Sequence, residues 1–148
     1  MKPIVRSYLT EINVGTTQPG NGTNINFKDY PQLRDIYITG FAFYDVTQVS
    51  VSPAGKTVVA ANGLPGITVT LLDIYNMEII YQYPSYDANP INVSGFYRDI
   101  NPFQLQLTKS YITVLDNSNI AADDSVIVNF FYISLKDWSK YSAYYARK

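Results

Sequence analysis

The stretch Ser125–Ser134 constrains the fold most strongly, because it is apolar on both faces of a strand. Successive side chains of a β-strand point to opposite faces, so a half-buried strand alternates apolar and polar residues. One face here carries Val126, Val128, Phe130 and Tyr132, and the other carries Ile127, Asn129, Phe131 and Ile133. Both faces therefore need cover. We expect one of Phe130 and Phe131 in the core, and the other under the C-terminal tail or at a subunit contact.

The rest of the chain up to residue 134 consists of strand-like stretches separated by turns, with no helical periodicity. Strands are expected at 35–45, 67–73, 77–83, 102–107, 110–115 and 125–134, with a short strand at 24–27 and a first strand or strand-like arm at 4–14. Ser52–Gly55 is expected to turn a further hairpin between 46–51 and 56–60, since it has proline and glycine where a type I turn prefers them. Eight or nine short strands joined by turns predict an all-β protein, an antiparallel sandwich or a barrel.

Two features of this pattern stand out. Gly40 lies in the middle of the apolar stretch 35–45, where glycine indicates a β-bulge or a close approach of two backbones rather than a ligand site. The connection 84–101 carries Pro84, Pro90 and Gly95 and exceeds the usual loop length. A connection of that length indicates a functional loop or a crossing between sheets.

Composition excludes several classes of function. The chain has no cysteine and no histidine, so it lacks disulfides, thiolate chemistry and the commonest general base near neutral pH. Charged residues make up 16% and the formal net charge is −1, so no overall field attracts nucleic acid or lipid. No segment approaches the roughly 18 apolar residues of a membrane span.

The acidic loop Asp116–Asp124 concentrates oxygen ligands of the kind that calcium prefers. It lacks the glycine and the terminal glutamate of the EF-hand pattern, and polar loops between strands are common. We therefore predict no metal site there. No serine–lysine pair or phosphate-binding loop is evident either, so we predict a non-catalytic protein without a cofactor.

The last segment, 135–148, differs from the predicted β-sandwich at 1–134. It contains the only tryptophan, four basic residues and one acid. Trp138, Tyr141, Tyr144 and Tyr145 fall close to one helical face, so the segment is either a short helix or an extended arm ordered on a partner. Lysines and aromatic rings also suit nucleic acid, but protein contact is the favoured reading. We predict interface roles for these four residues and for Phe131.

A second hypothesis concerns sugars. Tyr83, Tyr86 and Tyr97 lie in or beside the connection 84–101, where planar aromatic rings could form a platform for carbohydrate. The chain would then be a carbohydrate- or receptor-binding β-sandwich, including a phage decoration or tail component.

The order of strands across 4–134, with Pro31–Gly40 and Leu107–Ile112, resembles the single jelly-roll capsid proteins of icosahedral viruses. The similarity is greatest to small vertex (penton) or minor capsid proteins of tailless phages. The resemblance implies two four-stranded sheets with 35–45 beside 125–134, and no catalytic residues. It also implies a structural virion protein, assembled in the host cytoplasm as a homo-oligomer such as a pentamer, with other capsid proteins as partners. Low charge with many tyrosines is consistent with buried subunit contacts.

Overall fold

Eight β-strands and one C-terminal helix make up the computed structural model, which describes residues 4–93 and 95–146, with side chains as far as residue 142. The strands are β1 (Arg6–Asn13), β2 (Thr23–Asn26), β3 (Ile36–Tyr44), β4 (Ile67–Leu72), β5 (Glu78–Pro84), β6 (Arg98–Gln104), β7 (Tyr111–Val114) and β8 (Ser125–Ser134), and the helix is α1 (Leu135–Ala146). Between the strands, the chain forms only short 3₁₀ turns, bends and isolated bridges in the part that the structure describes.

The strands form two four-stranded sheets. Sheet 1 has the order β1-β8-β3-β6, and sheet 2 has the order β2-β7-β4-β5. Neighbouring strands are antiparallel in both sheets. Buried side chains from both sheets form one apolar core, so the predicted all-β antiparallel sandwich is confirmed. The expected pairing of 35–45 with 125–134 is also confirmed, because β3 lies directly beside β8.

Strand β8 occupies the interior of sheet 1, between β1 and β3. Its core face includes Val126, Val128 and Phe130, all with no exposed surface. The Phe27 ring, which follows β2, packs edge-on against Phe130 with 5.3 Å between centroids. On the opposite face Ile127 and Ile133 are also fully buried, whereas Phe131 is half-buried. Both faces of β8 are therefore covered, as its composition predicts.

Two predicted elements differ from the structure. The hairpin expected across 46–60 is reduced to an isolated bridge between Val51 and Thr57. The Ser52–Gly55 turn forms, with the Gly55 N–H donating to the Ser52 carbonyl, but the flanking segments build no sheet. Strand β6 covers Arg98–Gln104 rather than 102–107, so the long connection is shorter than its sequence suggests. Gly95, the last of the three proline and glycine residues named above for this connection, lies before the first residue of β6, Arg98.

The connection between β5 and β6 is tied to the end of β3 by one buried amide. Asn89 has no exposed surface and donates from Nδ2 to the Phe43 carbonyl at 3.0 Å and to Asp45 Oδ2 at 3.2 Å. Its Oδ1 accepts a hydrogen bond from Gln48 Nε2 at 2.9 Å. Because buried polar groups are costly when unpaired, this network fixes where the connection leaves the core.

Helix α1 follows β8 without an intervening loop. Its first residue, Leu135, donates its N–H to the carbonyl of Asp35, at the start of β3, at 3.0 Å. The segment predicted as a helix or an extended arm is therefore a helix, and it begins against sheet 1.

Candidate functional site

The outer face of sheet 1, which points away from the core, is covered by aromatic rings from other parts of the chain. Tyr97, which precedes β6, stacks on Phe131 with 4.0 Å between ring centroids and 15° between ring planes. Trp138 of α1 stacks on Tyr37 of β3 at 4.1 Å and 11°. The ring over Phe131 on the second face of β8 thus comes from Tyr97, and not from the C-terminal tail or a neighbouring subunit as expected; Trp138 of the tail covers Tyr37 of β3 instead.

Gly40 makes room for this cover. The register of β3 shifts between Ile38 and Gly40 against both neighbouring strands. A Cβ atom at Gly40 would overlap the Tyr97 ring and would lie 2.6 Å from the Arg98 carbonyl oxygen. Both parts of the prediction for Gly40, a bulge and a close approach, are confirmed. Its missing side chain determines where Tyr97 can lie.

The predicted interface residues that the structure describes already have contacts inside the chain. Phe131 lies under Tyr97, and Trp138 stacks on Tyr37. Tyr141 is 9% exposed. The side chains of Tyr144 and Tyr145 lie outside the described residues, so their predicted interface role remains a prediction.

A polar cleft of about 600 Å³ opens beside the Tyr97 ring. Its lining consists of Tyr83, Asp87, Asn92, Val93, Tyr97, Arg98 and Asp99. Two of the three tyrosines predicted for a sugar platform, Tyr83 and Tyr97, lie in this cleft. The third, Tyr86, is no part of the lining; like Tyr83, it packs against the hydrophobic core.

Arg98 and Tyr83, which both line the cleft, lie close to each other. The Arg98 guanidinium carbon lies 5.6 Å from the centroid of the Tyr83 ring, within the range of a cation–π contact. Burial raises the pKa of Tyr83, Asp87 raises it further, and the Arg98 charge opposes the shift. The phenol therefore stays neutral at physiological pH and can both donate and accept a hydrogen bond.

Sequence reasoning missed the polar residues of this cleft. Asp87, Arg98 and Asp99 are exposed, and their positions in the chain give no motif. The one available signal was local: charges flank the tyrosines of the long connection at 87 and at 98–99.

A second surface lies at the opposite sheet. Strand β5 is an edge strand of sheet 2, and exposed apolar side chains occur along it and in the turn before it, interspersed with the exposed polar residues Asn76, Glu78 and Gln82. We call this surface the β5 strip; its members are Ile74, Tyr75, Met77, Ile79 and Tyr81, between 41% and 79% exposed. Isolated apolar residues are normal on a protein surface, whereas a contiguous patch marks an interaction site. The sequence signal was alternation within 74–83, where Tyr75, Met77, Ile79 and Tyr81 are separated by residues that include the polar Asn76 and Glu78.

The acidic side chains of the loop 116–124 already have hydrogen-bond or ion-pair partners within the chain. Asp116 accepts from the Ser118 N–H, which lowers the pKa of that carboxyl, and Asp124 accepts from the Ala121 N–H at 2.9 Å. Asp123 pairs with Lys56 at 2.9 Å. Among the residues described, no three acidic side chains are grouped so that they could hold a metal ion.

Comparisons with known proteins assign no family to the chain, because no family model, curated protein or solved structure matches it. Across residues 4–93 and 95–146, the one α-helix falls short of the length and apolarity needed to cross a membrane.

Proposed function

We propose that the chain is a structural virion protein, a penton or minor capsid component, whose sandwich is a jelly roll. The observation that carries this proposal is the pairing of strands from the two halves of the chain. Strand β1 pairs with β8, β2 with β7, β3 with β6, and β4 with β5. These four strand pairs follow one another along a single long antiparallel ribbon, in which the chain turns back between β4 and β5.

When such a ribbon is wrapped, alternate strand pairs lie in the same sheet. Pairing of β3 with β8 joins the first and third strand pairs into sheet 1, and pairing of β4 with β7 joins the second and fourth into sheet 2. This arrangement supports the proposed jelly roll, an eight-stranded double sheet that occurs in viral capsid and lectin domains. Fold alone does not determine function, so the assembly role needs a surface of its own.

The β5 strip is the surface that we assign to subunit contacts. Among the described residues, five of the eleven exposed large apolar side chains fall within residues 74–81, which separates this patch from scattered surface residues. A second copy of the chain is the occupant that we propose, because capsid assembly by this chain requires contacts between subunits. Phe131 and Trp138 are less suited to that role, since rings of the same chain already cover them.

The contact is proposed to use side chains rather than added strands. The β4–β5 register shifts twice, between Val69 and Leu71 and between Leu71 and Leu72, and Gln82 has a φ of 47°. Bulges of this kind protect an edge strand from open-ended pairing. They leave the apolar side chains available while interrupting the row of free backbone groups.

Sedimentation velocity on three proteins tests the assembly surface. We expect the wild type to form a defined oligomer, and Ile79→Lys to shift it towards monomer, because a lysine there would have to lose its hydration at the contact. Val51→Lys is the matched control, since Val51 is a comparably exposed β-branched residue outside the strip. A wild type that stays monomeric at high concentration contradicts the proposal.

The virion role has a separate test. Particles purified from a culture that expresses the gene are expected to contain this chain at a fixed ratio to other capsid proteins, measured by quantitative mass spectrometry. Recovery of the chain only outside particles would contradict the proposal, even if the purified protein oligomerises.

A carbohydrate- or receptor-binding module is the second candidate function. The polar, tyrosine-lined cleft favours it, and lectin domains use the same wrapped ribbon.

A further inference from the structure

We propose that the cleft between Tyr83 and Tyr97 binds a short neutral saccharide. The inference rests on the second candidate function and is independent of the assembly surface, because the cleft and the β5 strip have no residue in common. A cleft of about 600 Å³ falls within the range of small-molecule sites, about 300–1,000 Å³.

The chemistry of the lining selects the ligand class. Four of the seven lining residues, Asp87, Asn92, Arg98 and Asp99, have a charged or amide side chain, which disfavours a purely apolar ligand. Carboxylates accept hydrogen bonds, the guanidinium donates them, and the amide does both. A saccharide hydroxyl also donates and accepts, so adjacent hydroxyl groups match this mixture.

The formal charge of the lining favours a neutral ligand over an anionic one. Two aspartates and one arginine give a local charge of −1, and Arg98 already lies over the Tyr83 ring. A phosphate or a sialic acid would meet two carboxylates of its own sign. A neutral pyranose meets no such repulsion, and its apolar face can pack against the aromatic residues Tyr83 and Tyr97 that line the cleft.

The Tyr97 ring is held in place before any ligand binds. Phe131 supports it by stacking, and a side chain at Gly40 would displace it. The residue before it, Phe96, has a φ of 76° and is 77% exposed. This left-handed conformation is rare for a bulky residue and costs about 1–3 kcal/mol, and it lets two neighbouring rings point to solvent and to Phe131. A ring fixed in this way loses little conformational entropy on binding.

An array of immobilised neutral and sialylated glycans, followed by calorimetric titration of the best soluble glycan, tests the inference. We expect binding to neutral glycans, and a loss of about tenfold in affinity for Arg98→Ala, the effect of one lost charge-assisted hydrogen bond. Arg6→Ala is the matched control: both arginines are exposed and begin the two edge strands of sheet 1. It should bind as the wild type does.

Each contrary outcome has its own meaning. Glycan binding that Arg98→Ala leaves unchanged overturns the cleft as the site, while a carbohydrate-binding function stands. Preference for sialylated glycans overturns the neutral ligand. No binding to any glycan on the array overturns both the inference and the carbohydrate-binding form of the second candidate function.

Discussion

Tyr97 stacks face to face on Phe131, with 4.0 Å between their ring centroids. This contact joins the outer apolar face of β8 to the long connection between β5 and β6. Phe130, the preceding residue of the strand, points to the other face and is fully buried in the core. The ring over Phe131 comes from the long connection, whereas the C-terminal helix covers Tyr37.

The Tyr97–Phe131 pair depends on the absence of a side chain at Gly40. We expect Gly40→Ala to lower the free energy of unfolding by about 1–3 kcal/mol, the usual cost of overpacking a filled site. Its added methyl group would meet the Tyr97 ring and the Arg98 carbonyl. Urea denaturation followed by circular dichroism measures the effect.

Gly20→Ala is the control for this substitution. A Cβ atom at Gly20 would lie 3.6 Å from Thr23 Oγ1, an ordinary van der Waals distance. We expect a change within about 0.5 kcal/mol. Equal effects of the two alanines would show that the close approach at Gly40 has no energetic importance.

The two adjacent phenylalanines of β8 should differ in their contribution to stability. Phe130→Ala leaves a cavity among fully buried side chains, and we expect a loss of about 3–5 kcal/mol. Phe131→Ala removes a half-buried ring and one stacking partner, so we expect a loss below about 2 kcal/mol. Thermal unfolding of both variants checks the order. Phe131→Ala as the more damaging change would place the main packing of β8 on its outer face.

Much of the fold could be predicted from the sequence because strand-forming composition and turn chemistry are local signals. Strands β1, β3, β4, β5, β7 and β8 fall where apolar and β-branched stretches between turns indicate them, and the bulge at Gly40 follows from glycine in a strand. Strand β6 was misplaced because the clean alternation around Phe103 and Leu105 continues past its end, where Leu105 forms an isolated bridge to Asp73, the residue after β4.

The cleft and the β5 strip could not be predicted in the same way, because each depends on tertiary pairing. Whether β5 is an edge strand is decided by sheet order, which no residue within β5 encodes. Arg98 and Tyr83 lie on strands of different sheets and meet only when the connection between them folds back. Isolated tyrosines in a loop suggested a binding role, but their polar neighbours had no sequence spacing to identify them.

The contact of helix α1 with sheet 1 can be followed through Trp138, the only tryptophan in the chain. Tyr37→Ala removes the ring on which it stacks. We expect a red shift of the tryptophan emission maximum and a stability loss of about 1 kcal/mol, since aromatic pairs contribute about 0.5–1.5 kcal/mol beyond their buried area. Tyr75→Ala, at a residue 79% exposed, should leave the emission unchanged. An unchanged spectrum for Tyr37→Ala would contradict the stacked arrangement.

Glu11 should make stability depend on pH in the acid range. Its carboxylate is 8% exposed, accepts from Ser125 Oγ at 2.6 Å, and accepts from the Ala54 N–H at 3.1 Å. Burial alone would raise the pKa of Glu11, but hydrogen bonds from Ser125, Ser52 and Ala54, helped by the charge of Lys28, outweigh it and lower the pKa below 4.5. A lowered pKa in the folded state means that the charged form is bound more tightly there than in the unfolded chain.

The stabilisation from Glu11 is therefore complete above pH 4.5 and is lost as the pH falls through the lower, folded-state value. Glu11→Gln replaces an acceptor oxygen with a donor, so we expect it to cost about 1–3 kcal/mol at pH 7 and to flatten the acid limb of the stability curve. Glu78→Gln, at an exposed position, is the control and should leave that limb unchanged. Urea titrations from pH 7 down to acid unfolding measure both variants. If Glu11→Gln loses stability with falling pH as steeply as the wild type does, the acid sensitivity comes from another carboxyl group.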